Sequence, residues 1–207
     1  MAMPEAVEAL AAELAPETTF HAGNRGGRRA AVLIALHGST DDLRLVLVEK
    51  TAHLRTHAGQ IAFPGGTCEQ TDASPVAAAL REAHEEAGIA PSSVAPLGIL
   101  PTGRTRVARS GFDVVPVVGW WTGDEPLAAH DPGEIEAVHD MTIDDLLDPV
   151  NRLTWTHPLG HTGPGFVIGD LFIWGFTAGL LDALFDLAGW TVPWDAARRA
   201  PVPPRFL

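Results

Sequence analysis

GGTCEQTDASPVAAALREAHEEAGI, residues 65–89, decides how this chain folds. Its second half predicts a helix over 74–88. Ser74 suits an N-cap, Pro75 the first helical position, and Gly88 the stop. Val76, Ala79, Leu80, Ala83 and Ala87 recur at helical spacing and form the stripe to be buried. Glu82, Glu85 and Glu86 fall within about 100° of arc on a neighbouring face. Like charges three or four residues apart cost a helix roughly 0.2–0.5 kcal/mol per pair. No lysine sits in this stretch to relieve them, since Lys50 is the only one in the chain, and Arg81 is placed to pair with Glu85. A hard divalent cation turns that repulsion into ligation, and oxygen donors favour Mg²⁺ or Mn²⁺. The plainer reading is a solvated acidic face. Against it stands GGTCEQTD, which puts two glycines just before the helix, where a backbone can approach a ligand closely and aim a carbonyl at it.

Outward from this stretch, AAVLIAL (30–36) and LRLVLVE (43–49) are β-rich runs on either side of a turn-forming GSTDD. VAPLGIL (94–100) and FDVVPVVGWW (112–121) predict further strands, separated by a loop with Arg104, Arg106 and Arg109. Helices are expected over 5–15, 142–148 and 171–190. The expected fold class is α/β, one domain with a mixed sheet and flanking helices. Its parts are an N-terminal helical extension (1–28), the domain proper (29–190) and a Pro-rich C-terminal arm (191–207).

The 207 residues carry 14 basic and 26 acidic side chains, a formal net charge of −12. Such a surface lacks the basic footprint of a nucleic-acid binder, so an anionic substrate must be captured locally. Cys68 is the single cysteine, which excludes an internal disulfide framework and a multi-thiolate zinc site. The acidic N-terminal residues predict neither a secretory signal nor a transit peptide. The apolar run 171–190 carries Asp182 and Asp186 on one helical face, so a buried amphipathic helix is expected there rather than a membrane span. A cytoplasmic protein without membrane partners is the expectation. The apolar FDVVPVVGWW and the Trp-bearing tail suggest a partner surface, for which a homodimer is one occupant.

The opening stretch resembles the Nudix box, G-x(5)-E-x(7)-R-E-U-x-E-E-x-G-U with U apolar. Gly66, Arg81, Glu82, Glu85, Glu86, Gly88 and Ile89 match it. Asp72 stands where the first glutamate belongs, one residue too far from Arg81, and Ala83 is smaller than the usual aliphatic residue. VLVEKTAHLRTHAGQIAFPGG (46–66) resembles a second signature, L-L-T-x-R-S-x(3)-R-x(3)-G-x(3)-F-P-G-G, of the coenzyme A pyrophosphatase branch. Arg55, Gly59, Phe63, Pro64, Gly65 and Gly66 match, whereas Val48, Lys50 and Thr51 replace its Thr, Arg and Ser. The resemblance spans roughly residues 30–187.

It implies a Nudix-like α/β/α sandwich and a metal-dependent pyrophosphohydrolase. Glu82, Glu85 and Glu86 would ligate Mg²⁺ or Mn²⁺, joined by the Gly65 carbonyl. Arg81 would orient a carboxylate or stand as a surface residue. Arg55, His57, Gly59 and Phe63 lie in the segment that marks coenzyme A recognition, with packing as the alternative role. Arg104 could hold a substrate phosphate or be a solvated loop charge. The implied substrate is coenzyme A or an acyl derivative, cleaved to 3′,5′-ADP and 4′-phosphopantetheine. Glu82 is the motif's base, with Glu134 and Glu136 as alternatives. Two rivals are hydrolysis of another nucleoside diphosphate derivative, such as ADP-ribose or a dinucleotide, and a catalytically silent nucleotide sensor on the same fold.

Overall fold

The computed structural model describes residues 2–16, 28–54, 56–101, 106–107 and 112–207, with the backbone alone at 28, 106, 107 and 112. Arg55, Arg104 and Arg109 lie outside the described residues, as do residues 17–27.

Continuous apolar runs, buried on both faces, build the centre of the main sheet. In chain order its strands are β1 (Arg28–Ser39), β2 (Asp42–Lys50), β3 (Ile61–Ala62), β4 (Gly65–Thr67), β5 (Val94–Ile99), β6 (Arg106–Val107), β7 (Phe112–Trp121) and β8 (Ile135–Thr142). Their order is β3-β2-β1-β7-β5, with β4 on β1, β6 on β7 and β8 on β2. The β1–β7 pair is parallel and the others are antiparallel, so the sheet is mixed. β7 is interior, and Trp120 and Trp121 are buried. The strand expected to offer a partner surface is therefore core, because its two neighbours cover both edges.

Among the described residues four α-helices flank the sheet: α1 (Glu5–Glu13), α2 (Pro75–Ala87), α3 (Ile143–Leu147) and α4 (Gly175–Leu187). Ala31, Leu33, Val46, Val48, Val115 and Val117 face α2, which answers with Val76, Ala78, Ala79, Ala83 and Ala87. Small side chains on both partners let this helix lie close to the strands. The alternate residues, Ile34, Leu36, Leu45, Leu47, Val118 and Trp120, face the other way and bury Val7 and Leu10 of α1, Leu146 of α3, and Leu181 and Phe185 of α4. The result is an α/β/α sandwich with a mixed sheet. Leu80, expected in the stripe of α2, is only partly buried, and Ala78 and Glu86 are buried beside the stripe.

The run 171–190 is not one helix. Leu171–Ile173 is a strand, β11, and Gly175 at φ 63° turns the chain into α4. β11 belongs to a second sheet that the sequence reading did not anticipate, with β9 (Arg152–Thr156), β10 (Thr162–Ile168) and β12 (Arg199–Pro201) in the order β11-β10-β9-β12. The Pro-rich arm thus supplies a strand to this sheet.

Candidate active site

α2 begins and ends where local chemistry dictates. The Ser74 hydroxyl accepts from the Ala77 N–H at 3.2 Å, Pro75 opens the first turn, and Gly88 closes the helix at φ 75°. Immediately upstream, β4 presses its glycines between β1 and α2. A Cβ on Gly65 would lie 2.4 Å from the Ala31 carbonyl oxygen, and one on Gly66 would lie 2.6 Å from the carboxyl carbon of Glu82. At Gly65, set against fixed backbone at φ 158°, only glycine fits, whereas a side chain at Gly66 would push the Glu82 carboxylate aside.

The three glutamates occupy different environments. The Glu86 side chain is 5% exposed. Its carboxylate accepts from Lys50 Nζ at 2.5 Å and from the Gly65 N–H at 3.0 Å. Burial pushes its pKa up, against the pull of Lys50. Glu82 is half-buried and meets Arg81 at 3.0 Å. Burial raises its pKa too, opposed by Arg81 and reinforced by Glu86 and Glu85. Glu85 is exposed and bonded to Arg81 at 2.9 Å.

Arg81 is more than the partner of Glu85. Its guanidinium also meets Asp72 at 3.1 Å and donates to the Thr67 carbonyl at 3.2 Å, tying the box loop to α2. That bond holds the Asp72 carboxyl below its ordinary range. Asp72 therefore anchors Arg81 from the position where the box has glutamate. Burial and Asp72 push the Cys68 thiol up, which makes it a poor nucleophile.

Lys50 was missed as a partner of the acidic face. The alternation that turns Val46 and Val48 toward α2 carries Lys50 to the same side, so the signal was present in β2. Its ammonium also lies 3.7 Å from Glu134, in the loop before β8. Thr51 ties down that loop, donating from its N–H to the Glu134 carbonyl at 2.8 Å. Glu136, the next residue of β8, is exposed and falls at the register shift between the Lys50–Ile135 and Glu49–Ala137 pairs.

The second signature forms the turn between β2 and β3 and the lead into β4. His57 is exposed, at φ 61°, with its imidazole 3.1 Å from the Gln60 side chain. Gly59 adopts φ 65°. Phe63 is 3% exposed and packs in the core with the α4 side of the sheet. The structure thus brings Gly65, Glu82, Glu86, Arg81, Lys50 and Glu134 to one end of α2, and leaves Phe63 in the interior.

Among the described residues, no three carboxylate, imidazole or thiol side chains converge on one point. The donor chemistry nonetheless fits a hard divalent cation. The site offers oxygen ligands alone, and Glu82 is a half-buried carboxylate whose charge Glu85 and Glu86 oppose.

This fold and this acidic helix behind a glycine loop define a hydrolase class, and the chain belongs to the NUDIX domain family, whose model matches residues 27–161. It is an enzyme of the pyrophosphohydrolase type, and members of the family generally use divalent metal ions. It is 41% identical over 164 residues to the "Uncharacterized Nudix hydrolase NudL" of Enterobacter sp. (strain 638), covering 76% of this chain and 81% of that one. The protein of the same description from Escherichia coli (strain K12) is 40% identical over the same shares. Among solved structures, a MutT/nudix family protein from Enterococcus faecalis superposes with a TM-score of 0.53 at 17% identity, over 82% of this chain and 66% of that chain. The Nudix hydrolase RenU from M. smegmatis gives 0.52 at 17% identity, over 78% and 86%. At such identities these structures support the fold alone. No helix among the described residues is long and apolar enough to cross a membrane.

Proposed function

We propose that this enzyme cleaves the diphosphate of coenzyme A or an acyl-coenzyme A to 3′,5′-ADP and (acyl-)4′-phosphopantetheine, with Mg²⁺ or Mn²⁺ and in the cytoplasm. The observation that carries the reading is the junction of the two motifs. The 46–66 segment delivers Lys50 and the Gly65 N–H onto the Glu86 carboxylate, so the coenzyme-A-type signature and the metal-type helix share one site. Glu82, Glu85 and Glu86 would hold the cation, with the Gly65 carbonyl as a fourth donor. A cation there would polarise phosphoryl oxygens and make a coordinated water more acidic.

The chain's own residues do the rest. Arg81 fixes Glu82 and Glu85 from one side and is itself fixed by Asp72. Lys50 opposes the upward pull of burial on the Glu86 carboxyl and holds it in place. Glu82 takes the proton of the attacking water in this reading. Glu134 is the alternative, since its carboxylate is 55% exposed and 3.7 Å from Lys50. Arg55, His57 and Gly59 meet the substrate from the turn, and Arg104 contributes a further positive charge.

The test is product analysis after incubation with coenzyme A and Mg²⁺ or Mn²⁺, with Glu86→Gln as control. Formation of 3′,5′-ADP and phosphopantetheine, lost in the variant, is the expected result. Cleavage of ADP-ribose or dinucleotides but not coenzyme A would keep the class and discard the substrate. Silence on every diphosphate would favour a nucleotide sensor.

A further inference from the structure

The turn between β2 and β3 is braced by a residue nearly 150 positions away. Lys50 and Gln60 close its neck, the Lys50 N–H donating to the Gln60 carbonyl and the Gly59 N–H to the Lys50 carbonyl, both at 3.0 Å. Within it His57, at φ 61°, occupies the left-handed region that a non-glycine side chain seldom adopts. Backbone of this kind persists where the surroundings over-determine it, and it gathers at functional sites. One support is internal, the contact of the His57 imidazole with Gln60. The other comes from the C-terminal segment. The Phe206 ring packs beside Gly59, where an added Cβ would be in ordinary van der Waals contact 3.5 Å from its Cε1, and the Gln60 amide donates to the Phe206 carbonyl at 3.5 Å. The ring is itself seated, stacked on Phe172 of β11 with centroids 6.4 Å apart. Phe172 is buried in the second sheet, so the brace rests on a rigid base.

We propose that Phe206 is a positioning residue, which holds residues 57–60 of the turn in the conformation that grips the substrate while taking no part in hydrolysis. This rests on the reading that the turn meets the nucleotide substrate. Its influence stops at the neck, because Lys50 is fixed independently by its place in β2 opposite Ile135 of β8. The carboxylate arrangement on α2 therefore survives when the brace is lost.

The experiment compares full-length wild type, Phe206→Ala and Phe206→Tyr by amide hydrogen exchange and by kinetics on coenzyme A at saturating Mn²⁺. In the alanine variant the Gly59 and Gln60 amides are expected to exchange about tenfold faster while those of α2 are unchanged. KM is expected to rise about five- to tenfold with kcat within about twofold, the pattern of lost uniform binding, and tyrosine restores both. Unchanged exchange would overturn the brace. Faster exchange with unchanged KM, or a fall in kcat alone, would overturn its role in substrate affinity. Should alanine unfold the protein, Phe206→Leu carries the same readouts with a smaller shift in the same direction. A wild type that ignores coenzyme A but cleaves another diphosphate removes the coenzyme reading only, and the variants are then compared on that compound. A wild type inert to every diphosphate sinks both.

Discussion

Glu82, the base in the proposed reaction, shows how a half-buried carboxylate strains its own fold. Its carboxylate is half-buried, and burial followed by the charges of Glu86 and Glu85 raises its pKa despite Arg81. A carboxyl whose folded pKa lies above its unfolded value destabilises the protein at any pH above both, and the cost fades as pH falls through the folded value. Glu82→Gln removes that cost. The metal-free variant is therefore expected to melt at or above the wild-type temperature at pH 7, with the gap closing toward pH 4, while hydrolysis is lost. Thermal scans with a chelator across that range, beside an activity assay, check this. A lower melting temperature at pH 7 would mean that the Arg81 bond outweighs desolvation. The trade is the usual one between stability and function at a working site.

At the scale of elements, α2 is a helix that its own residues specify. Loss of the Ser74 cap bond in Ser74→Ala is expected to cost about 1 kcal/mol, measurable by urea denaturation. That local character is why α2 was legible: cap, first-turn proline, terminal glycine and apolar stripe all lie within fifteen residues. β1, β2, β5 and β7 were legible as apolar, β-rich runs between turn signals, whereas the short β3, β4 and β6 and the polar-rich β8 were not. Nor was the second sheet. β10 runs TGPGFVI, and Gly163, Pro164 and Gly165 look like a loop. Pro164 is tolerated because it pairs with Thr154 of β9 where β11 has not yet begun. The LFIW that follows at 171–174 is apolar throughout, a pattern that does not separate a buried strand from a buried helix. In the site, Glu82, Glu85, Glu86 and Arg81 were readable from helical spacing, whereas the Lys50–Glu86 pair spans 36 residues and needed the strand alternation to be followed one step further.

Across the whole molecule, one buried cation joins the parts. Arg152 of β9 is 1% exposed. It bonds to Asp182 of α4 and lies over the rings of Phe166 and Trp194, at 4.4 and 4.7 Å from their centroids. It thus links the second sheet, α4 and the C-terminal arm. Asp182→Ala strands a buried guanidinium and is expected to cost about 3 kcal/mol, at the lower end for a buried pair because Asp182 keeps some contact with water. Calorimetry that found the variant within about 0.5 kcal/mol of wild type, the range of an ordinary surface change, would mean that water replaces the aspartate. A partly buried cation, Lys50, has a use of its own. Lys50 is the only lysine in the sequence, and its side chain is 14% exposed. On most proteins an amine-directed acylating reagent marks dozens of scattered surface points; here a single ε-amine answers, and it stands inside the site. Its labelling rate is thus a built-in reporter, slow while Glu86 holds the ammonium and fast once that carboxylate is drawn to another charge.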